Sequence, residues 1–293
     1  MEIHVVAKNS CTTVGESPHW EESTQSLIYV DIRSGDVHRW SALTKTDTKI
    51  HIDGHIGFAV PCQSGHYIIG LGPTLCLVNW AEEKIIDQFV SVDAFRFNDG
   101  KCDPFGRLWT GTLGNEPHQR ALYSLETDHK TLTCRVDDVQ MPNGIAWDTE
   151  TNTMYFVDTA PRIIYAFRYD CTGHLSDKRT LIDFKDIGDE TVVGKPDGVC
   201  LDACGDLWVA CFGGGCVIQI NTKTRKELRR VRIPGAKQIT SCCFGGENYA
   251  DLFVTSAKSR LTEEEERLQP LAGSLYKVTG LQVKGVKPFV FQG

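Results

Sequence analysis

Short apolar stretches separated by turn residues run along the whole chain. One phrase recurs: a polar residue, a short apolar strand, an acid or glycine at a turn, and a second strand rich in aromatic and β-branched residues. The clearest copies are GESPHWEESTQSLIYVD and PNGIAWDTETNTMYFVD. When Trp20 is aligned with Trp147, Asp31 falls on Asp158. This agreement indicates an internal repeat made of β-strands.

The repeat occurs six times. The other copies are FAVPCQSGHYIIGLG, FNDGKCDPFGRLWTGT, PDGVCLDACGDLWVACF and ITSCCFGGENYADLFVTSA. The turn positions of the six copies are Glu21, Gln63, Asp103, Asp148, Asp202 and Gly245. Their spacing of roughly 40 to 55 residues is typical of the four-stranded blades of a β-propeller. We therefore predict an all-β fold, a six-bladed β-propeller with four antiparallel strands per blade, in which residues 1–293 form one domain.

Helical patterns are almost absent, which argues against two α/β domains. Only SRLTEEEERLQP has helical character, and its Thr262 and Glu265 are spaced as a capping box. The acidic run is interpreted as a solvated loop or a single helical turn.

Equivalent positions at the starts of the inner strands should converge on one mouth of the propeller channel. Five residues before the six turn positions stand Glu16, Phe58, Asn98, Asn143, Asp197 and Thr240. Asn143-Gly144 is also a common signal for a tight hairpin turn, and Asn-Asp-Gly and Asp-Gly are ordinary turn sequences. A turn requirement does not explain Glu16, however, because no glycine follows it.

Two carboxylates about 4 Å apart repel each other by roughly 4 kcal/mol at an effective dielectric constant near 20, so converging carboxylates need a shared proton or a cation. The amide oxygen of Asn143 beside Glu16 and Asp197 makes an all-oxygen ligand set. Such a set suits one divalent metal ion, Ca²⁺, Mg²⁺ or Mn²⁺, and Zn²⁺ is also compatible. Three protein ligands leave coordination positions open, as a catalytic metal requires.

The bulk composition narrows the partners. A net charge of −7 without basic blocks argues against nucleic acid and against an anionic membrane. The N-terminal MEIHVVAKNS has no features of a signal peptide, and no window approaches the roughly 20 apolar residues of a membrane span. We expect a cytoplasmic protein that acts on a small molecule, and a monomer because propeller blades leave few exposed edges.

The cysteines and histidines suggest no second metal site. Twelve cysteines in 293 residues are too dilute for a disulfide scaffold and have the wrong spacings for a zinc ribbon. We expect reduced, half-buried thiols. No histidine falls in the channel register, and His19, His51, His55 and His118 are expected at the surface or in loops.

Several motifs resemble the regucalcin family, also called senescence marker protein, among the gluconolactonase-like six-bladed propellers. They are GESPHW, FNDGKCDPFGRLWTGT, PNGIAWD, KPDGVCLDACGDLWVACFGGG and TSCCFGGENYADLFVTSA, and the likeness extends from about residue 14 to the C-terminal GVKPFVFQG. The resemblance implies metal-dependent hydrolysis of sugar lactones. It also implies that Glu16, Asn143 and Asp197 are the metal ligands and that Asp197 is the proton donor and acceptor.

The same resemblance implies three substrate contacts. They are Arg96 and Asn98 of the R-x-N-D motif, and Glu116, which occupies the position of a family glutamate although GTLGNEP departs from the usual GTMAEE-like wording. The predicted substrate is a sugar lactone. Two alternatives are a calcium-binding regulatory protein and a metal-dependent esterase or organophosphate hydrolase.

Overall fold

The computed structural model describes residues 1–293 and confirms the six-bladed β-propeller, with six four-stranded antiparallel sheets. Blades 1 and 2 consist of β2 (Gly15–Glu21), β3 (Ser26–Asp31), β4 (Asp36–Ser41), β5 (Asp47–His51), β6 (Ile56–Pro61), β7 (Tyr67–Leu71), β8 (Thr74–Asn79) and β9 (Lys84–Ser91). Blades 3 and 4 consist of β10 (Arg96–Cys102), β11 (Leu108–Leu113), β12 (Leu122–Leu125), β13 (Leu132–Val136), β14 (Pro142–Asp148), β15 (Thr153–Asp158), β16 (Ile163–Tyr169) and β17 (Leu175–Asp183). Blades 5 and 6 consist of β18 (Lys195–Leu201), β19 (Leu207–Phe212), β20 (Cys216–Ile220), β21 (Glu227–Arg232), β22 (Ile239–Gly245), β23 (Asp251–Ser256), β24 (Leu275–Thr279) and β1 (Glu2–Ala7).

Helices are short and lie between strands. They are α1 (Glu190–Val193), α2 (Glu263–Leu268) and the 3-10 turns Pro117–Gln119 and Glu247–Tyr249. Helix α2 confirms the helical turn expected from the sequence, because Thr262 Oγ1 accepts from the backbone N–H of Glu265 at 3.2 Å and Glu265 Oε2 accepts from that of Thr262 at 2.8 Å. None of the helices has the length and apolar character needed to cross a membrane.

The core lies between the blades. Each sheet is covered on both faces by its neighbours, so its inner strands are buried along almost their whole length, polar residues included. All six residues of β3 are buried, for example. The largest cluster has 17 buried residues and joins blade 4 to blade 5, where Ala146 and Val157 pack with Val199 and Val209.

The two ends of the chain close the ring. Strand β1 pairs antiparallel with β24, so the last blade takes its outer strand from the N-terminus. The C-terminal residues 284–292, here called the strap, run across the mouth at which the inner strands end. The strap is bridged to blade 5 at Gly285 and Asp202 and to blade 2 at Phe291 and Cys62, and Phe291 is fully buried.

All six inner strands carry a bulge near their first residues. The Asn143-Gly144 pair does not form a hairpin turn, because both residues lie inside β14 at this bulge and the hairpin turn comes at 149–152. Gly144 is needed for close approach: a Cβ there would lie 2.5 Å from the carbonyl oxygen of Asp197 and 2.7 Å from the nitrogen of Val199. Asn143 is thereby held against β18.

In blade 2 the bulge corrects the predicted channel position. In β14 the pairs on either side of the bulge are Pro142 with Asp158 and Ile145 with Phe156, and in β6 they are Ile56 with Leu71 and Ala59 with Ile69. Gly57, and not Phe58, is therefore the blade 2 equivalent of Asn143. Phe58 points into the core and is fully buried.

The thiols are all free, and they are more buried than expected, with only Cys134, Cys171 and Cys204 exposed. His51 and His118 are exposed and His55 is half-buried in a loop, as predicted. The surface placement of His19 is wrong. Its side chain is only 6% exposed and lines a cavity of about 70 Å³ beneath the strap. The error arises because His19 lies on an inner strand, β2, whose residues are covered by neighbouring blades.

Candidate metal centre

Three predicted metal ligands converge at the mouth where the inner strands begin. Glu16 lies near the start of β2, Asn143 near the start of β14 and Asp197 near the start of β18. Their side chains are only 6%, 7% and 5% exposed. The Asn143 amide of blade 4 and the Glu16 charge of blade 1 both influence the pKa of the Asp197 carboxyl in blade 5.

Two oxygen atoms of this group have no hydrogen-bond partner although they are buried: Asn143 Oδ1 and Asp197 Oδ1. The orientation of the amide follows from its other end, since Asn143 Nδ2 donates to Thr159 Oγ1 at 3.2 Å. That hydroxyl donates in turn to the carbonyl oxygen of Pro196 at 2.8 Å. Leaving a buried acceptor unsatisfied costs about 1–3 kcal/mol, which a bound cation would offset.

The carboxyl groups are poorly stabilised as anions by the protein alone. Burial, followed by repulsion from Asp99, raises the pKa of Glu16 to about 8, even though Glu16 Oε2 accepts from the backbone N–H of Ser17 at 2.8 Å. Burial and then the neighbouring Glu16 raise the pKa of Asp197 well above its ordinary value. A divalent cation would replace the protons that these groups otherwise retain.

The type of donor defines the type of ion. No group of three or more His, Cys, Asp and Glu side chains is arranged to hold a metal ion, and the buried, unpartnered Asn143 Oδ1 offers a third donor beside Glu16 and Asp197. Two carboxylates and an amide provide only oxygen atoms. The residues therefore fit a hard divalent cation of the Ca²⁺ or Mg²⁺ type.

Two of the predicted substrate contacts lie beside this group. Arg96 is the first residue of β10; its Nη1 donates to the carbonyl oxygen of Phe97 at 2.8 Å, and it forms no ion pair with a carboxylate. Burial lowers its pKa to about 10, and the nearby Glu16 partly offsets this. Asn98 is 8% exposed and donates through Nδ2 to the carbonyl oxygen of Pro142 at 2.8 Å. Arg96 and Asn98 thus place blade 3 next to the predicted metal ligands.

Glu116, the third predicted substrate contact, and Thr240, of the predicted channel register, do not lie beside the metal ligands in this way. Glu116 is exposed on the loop after β11, where it precedes the 3-10 turn Pro117–Gln119. This loop emerges at the same mouth, because β11 ends opposite Arg96. Thr240 holds the ring together instead, since its hydroxyl donates to the carbonyl oxygen of Gly15 at 2.5 Å and lies 2.9 Å from Thr255 Oγ1.

Sequence reasoning missed two charged residues of the channel, Asp99 near the predicted ligands and Lys101, which lines the cavity beneath the strap. Asp99 is 2% exposed and acts on the pKa of both Glu16 and Asp197. Lys101 donates through Nζ to the carbonyl oxygen of Val199. Alternation along a regular strand would turn Asp99 away from Asn98. The bulge, which spans both residues, re-aims the side chain, and the only sequence signal was an Asn-Asp-Gly triplet typical of turns.

A family model described as the SMP-30/Gluconolactonase/LRE-like region matches residues 14–258, and the chain belongs to this family. Among its relatives, regucalcin from Danio rerio is 42% identical over 287 residues, which cover 96% of this chain and 95% of the relative. Human regucalcin is 39% identical over 305 residues, covering 100% and 99%.

Solved structures agree with this assignment. A luciferin-regenerating enzyme has a TM-score of 0.89 at 32% identity and covers 100% of this chain and 99% of its own. A regucalcin from Agrobacterium tumefaciens, described as a calcium-binding protein, has a TM-score of 0.89 at 24% identity and covers 99% and 97%. The second likeness bears on the fold alone.

Proposed function

We propose that the protein hydrolyses sugar lactones with the aid of one divalent cation held by Glu16, Asn143 and Asp197. The observation that carries the proposal is the pair of buried, unpartnered acceptors, Asn143 Oδ1 and Asp197 Oδ1, beside the Glu16 carboxyl. Membership of a family named for gluconolactonase supports the choice of substrate. When bound, the cation would supply Lewis-acid polarisation of a carbonyl group and a lower pKa for water.

The residues of the chain have separate roles in this reaction. Asp197 takes the proton of the attacking water as the new C–O bond forms, and returns it to the ring oxygen as the ring C–O bond breaks. Arg96 has no carboxylate partner, so its guanidinium can donate to substrate oxygens, and Asn98 lies beside it to fix orientation. Glu116 contacts the substrate from the loop at the rim.

The proposal is tested with metal-stripped protein that is given Ca²⁺, Mg²⁺, Mn²⁺ or Zn²⁺ and offered gluconolactone, an aryl ester and a phosphotriester. Lactone turnover that depends on the cation is expected. Asp197→Asn should lower kcat by about 10²- to 10⁴-fold, the usual contribution of a general acid-base. Thr240→Ser, at the same register position in blade 6, keeps a hydroxyl and should keep the rate.

The other outcomes assign the alternatives. Cation binding without turnover of any substrate would favour a calcium-binding regulatory protein. Turnover of only the ester or the phosphotriester would favour a metal-dependent esterase or organophosphate hydrolase. Either result would overturn the proposal, as would an Asp197→Asn variant that retains near-normal lactonase activity.

A further inference from the structure

Asp99 differs from the buried carboxylates that lie outside the metal centre. Asp103 accepts from Arg107 Nε at 2.7 Å and from Trp109 Nε1 at 2.9 Å, and Asp202 accepts from Trp208 Nε1 at 2.9 Å. Asp99 receives a single hydrogen bond, from the backbone N–H of the next residue to Oδ1 at 2.8 Å. Its Oδ2 is buried and has no partner. The stability of the fold does not explain a carboxylate left in this state.

The surroundings of Asp99 are the metal centre. Its charge acts on Glu16 and Asp197. The charge of Lys101 partly offsets the rise that burial causes in the pKa of Asp99, but Lys101 Nζ donates to the carbonyl oxygen of Val199 and forms no ion pair with Asp99. No three acidic side chains are close enough together to bind one metal ion jointly. Asp99 therefore stands within electrostatic range of the cation position without being a ligand.

We propose that Asp99 is a positioning residue of the cation site, a third carboxylate that makes no bond to the ion but strengthens its binding through its charge and its free Oδ2. This inference rests on the metal centre of the proposed function. Burial raises the pKa of Glu16, Asp197 and Asp99, and a cation that displaced their protons would meet three negative charges in a buried space where Arg96 and Lys101 bring two positive ones. The excess of negative charge attracts a divalent cation, and the attraction is strong because the site excludes most water.

The charge of Asp99 has opposite effects in the two states of the protein. Without a cation, a charged Asp99 raises the pKa of Glu16 and Asp197 and is itself disfavoured by burial, so its charge destabilises the fold. With a cation, it stabilises the complex. A residue that only supports the structure would act in the same direction in both states, so comparison of the two states separates the roles.

The test is Asp99→Asn, which removes the charge and keeps the shape. Calorimetric titration of metal-stripped protein with CaCl₂ should show a Kd raised by about 10- to 100-fold, as for other residues outside the ligand shell. The Tm of the metal-free variant should equal or exceed that of the wild type, while its increase on adding Ca²⁺ should be smaller. A Kd within twofold of the wild type, or a Tm lowered equally with and without Ca²⁺, would overturn the proposal.

Two further variants complete the design. Asp206→Asn is the matched control, because Asp206 is a buried carboxylate that accepts from Asn221 Nδ2 at 2.7 Å and from Gln219 Nε2 at 3.3 Å away from the centre. It should lower Tm in both states and leave the Kd unchanged. Lys101→Gln removes a positive charge and should tighten Ca²⁺ binding, which decides the matter if Asp99→Asn does not fold; a Kd that does not fall would count against the proposal.

Failure of the inference is distinguishable from failure of the proposed function. Wild-type protein that binds none of the four cations overturns the metal centre itself. Wild-type protein that binds Ca²⁺ with an affinity that Asp99→Asn and Lys101→Gln do not change overturns only the role of Asp99.

Discussion

At the scale of single residues, the centre is defined by what its polar atoms lack. Most buried polar groups in the protein have partners, as Asp103 and Asp202 do. Asn143 Oδ1, Asp197 Oδ1 and Asp99 Oδ2 do not, and all three belong to one mouth of the channel. Under the proposed function, the same atoms that weaken the metal-free fold would create affinity for a cation.

The pH dependence of stability tests this view. In the metal-free protein, the Glu16 pKa of about 8 lies above its ordinary value of 4.5, so the folded state holds a proton that the unfolded state releases. This contribution is complete below pH 4.5 and is lost as pH rises through 8. Burial lowers the pKa of His19 from 6.5 to about 3, so His19 makes the free energy of unfolding rise with pH. This rise is complete above pH 6.5.

Thermal unfolding of the metal-stripped protein should therefore show Tm falling between pH 6.5 and 8. The increase in Tm on adding Ca²⁺ should grow over the same window, because the cation binds the deprotonated carboxylates. Glu16→Gln should flatten the slope without metal. An unchanged slope in that variant would show that Glu16 is not the group responsible.

At the scale of elements, the inner strands are shaped by their bulges. The extra residue in each strand turns side chains such as Asn143 and Asp197 into the mouth, and glycine at the next position allows neighbouring strands to approach. Gly198, like Gly144, lies where a neighbouring strand leaves no room for a side chain: a Cβ there would lie 2.0 Å from Ser241 Oγ. The Asn-Gly and Asp-Gly pairs are thus packing features of strands.

Gly144→Ala should therefore damage the centre through the backbone. The added Cβ would collide with Asp197 O and Val199 N, which cannot move independently of β18. We expect a loss of about 1–3 kcal/mol in the free energy of unfolding, together with weaker Ca²⁺ binding. Ala146→Gly, in the same strand, should cost stability only. Denaturant unfolding and calorimetric titration measure both effects, and a Gly144→Ala variant with wild-type affinity would contradict this account.

At the scale of the whole molecule, both chain ends hold a closed ring. The N-terminal β1 completes blade 6, and the strap covers the mouth opposite the metal centre. Phe291 packs with Phe58, Phe97 and Leu108 of blades 2 and 3. The strap therefore covers this end of the channel and contributes to stability.

Phe291→Ala should release the strap. We expect a loss of about 3–5 kcal/mol in the free energy of unfolding, as for other buried aromatic residues, while the Kd for Ca²⁺ stays unchanged. Val286→Ala, at a strap residue that is 42% exposed, should change neither quantity appreciably. If Phe291→Ala weakened Ca²⁺ binding as much as stability, the two mouths would not be independent.

The sequence by itself determined the number of blades, the strands within them and three convergent positions, Glu16, Asn143 and Asp197. Those features follow from a repeat of polar, apolar and turn residues, and a repeat can be recognised within the chain. The α2 capping box was also predictable, because Thr262 and Glu265 interact over three residues.

Only the tertiary structure decided the features that depend on contacts between blades. A bulge shifts a strand by one residue, which placed Gly57 and not Phe58 in the channel register and brought Asp99 toward Glu16. Packing between blades buried His19, and ring closure joined β1 to β24. These outcomes arise from side chains distant in sequence that compete for the same space, and no local pattern records that competition.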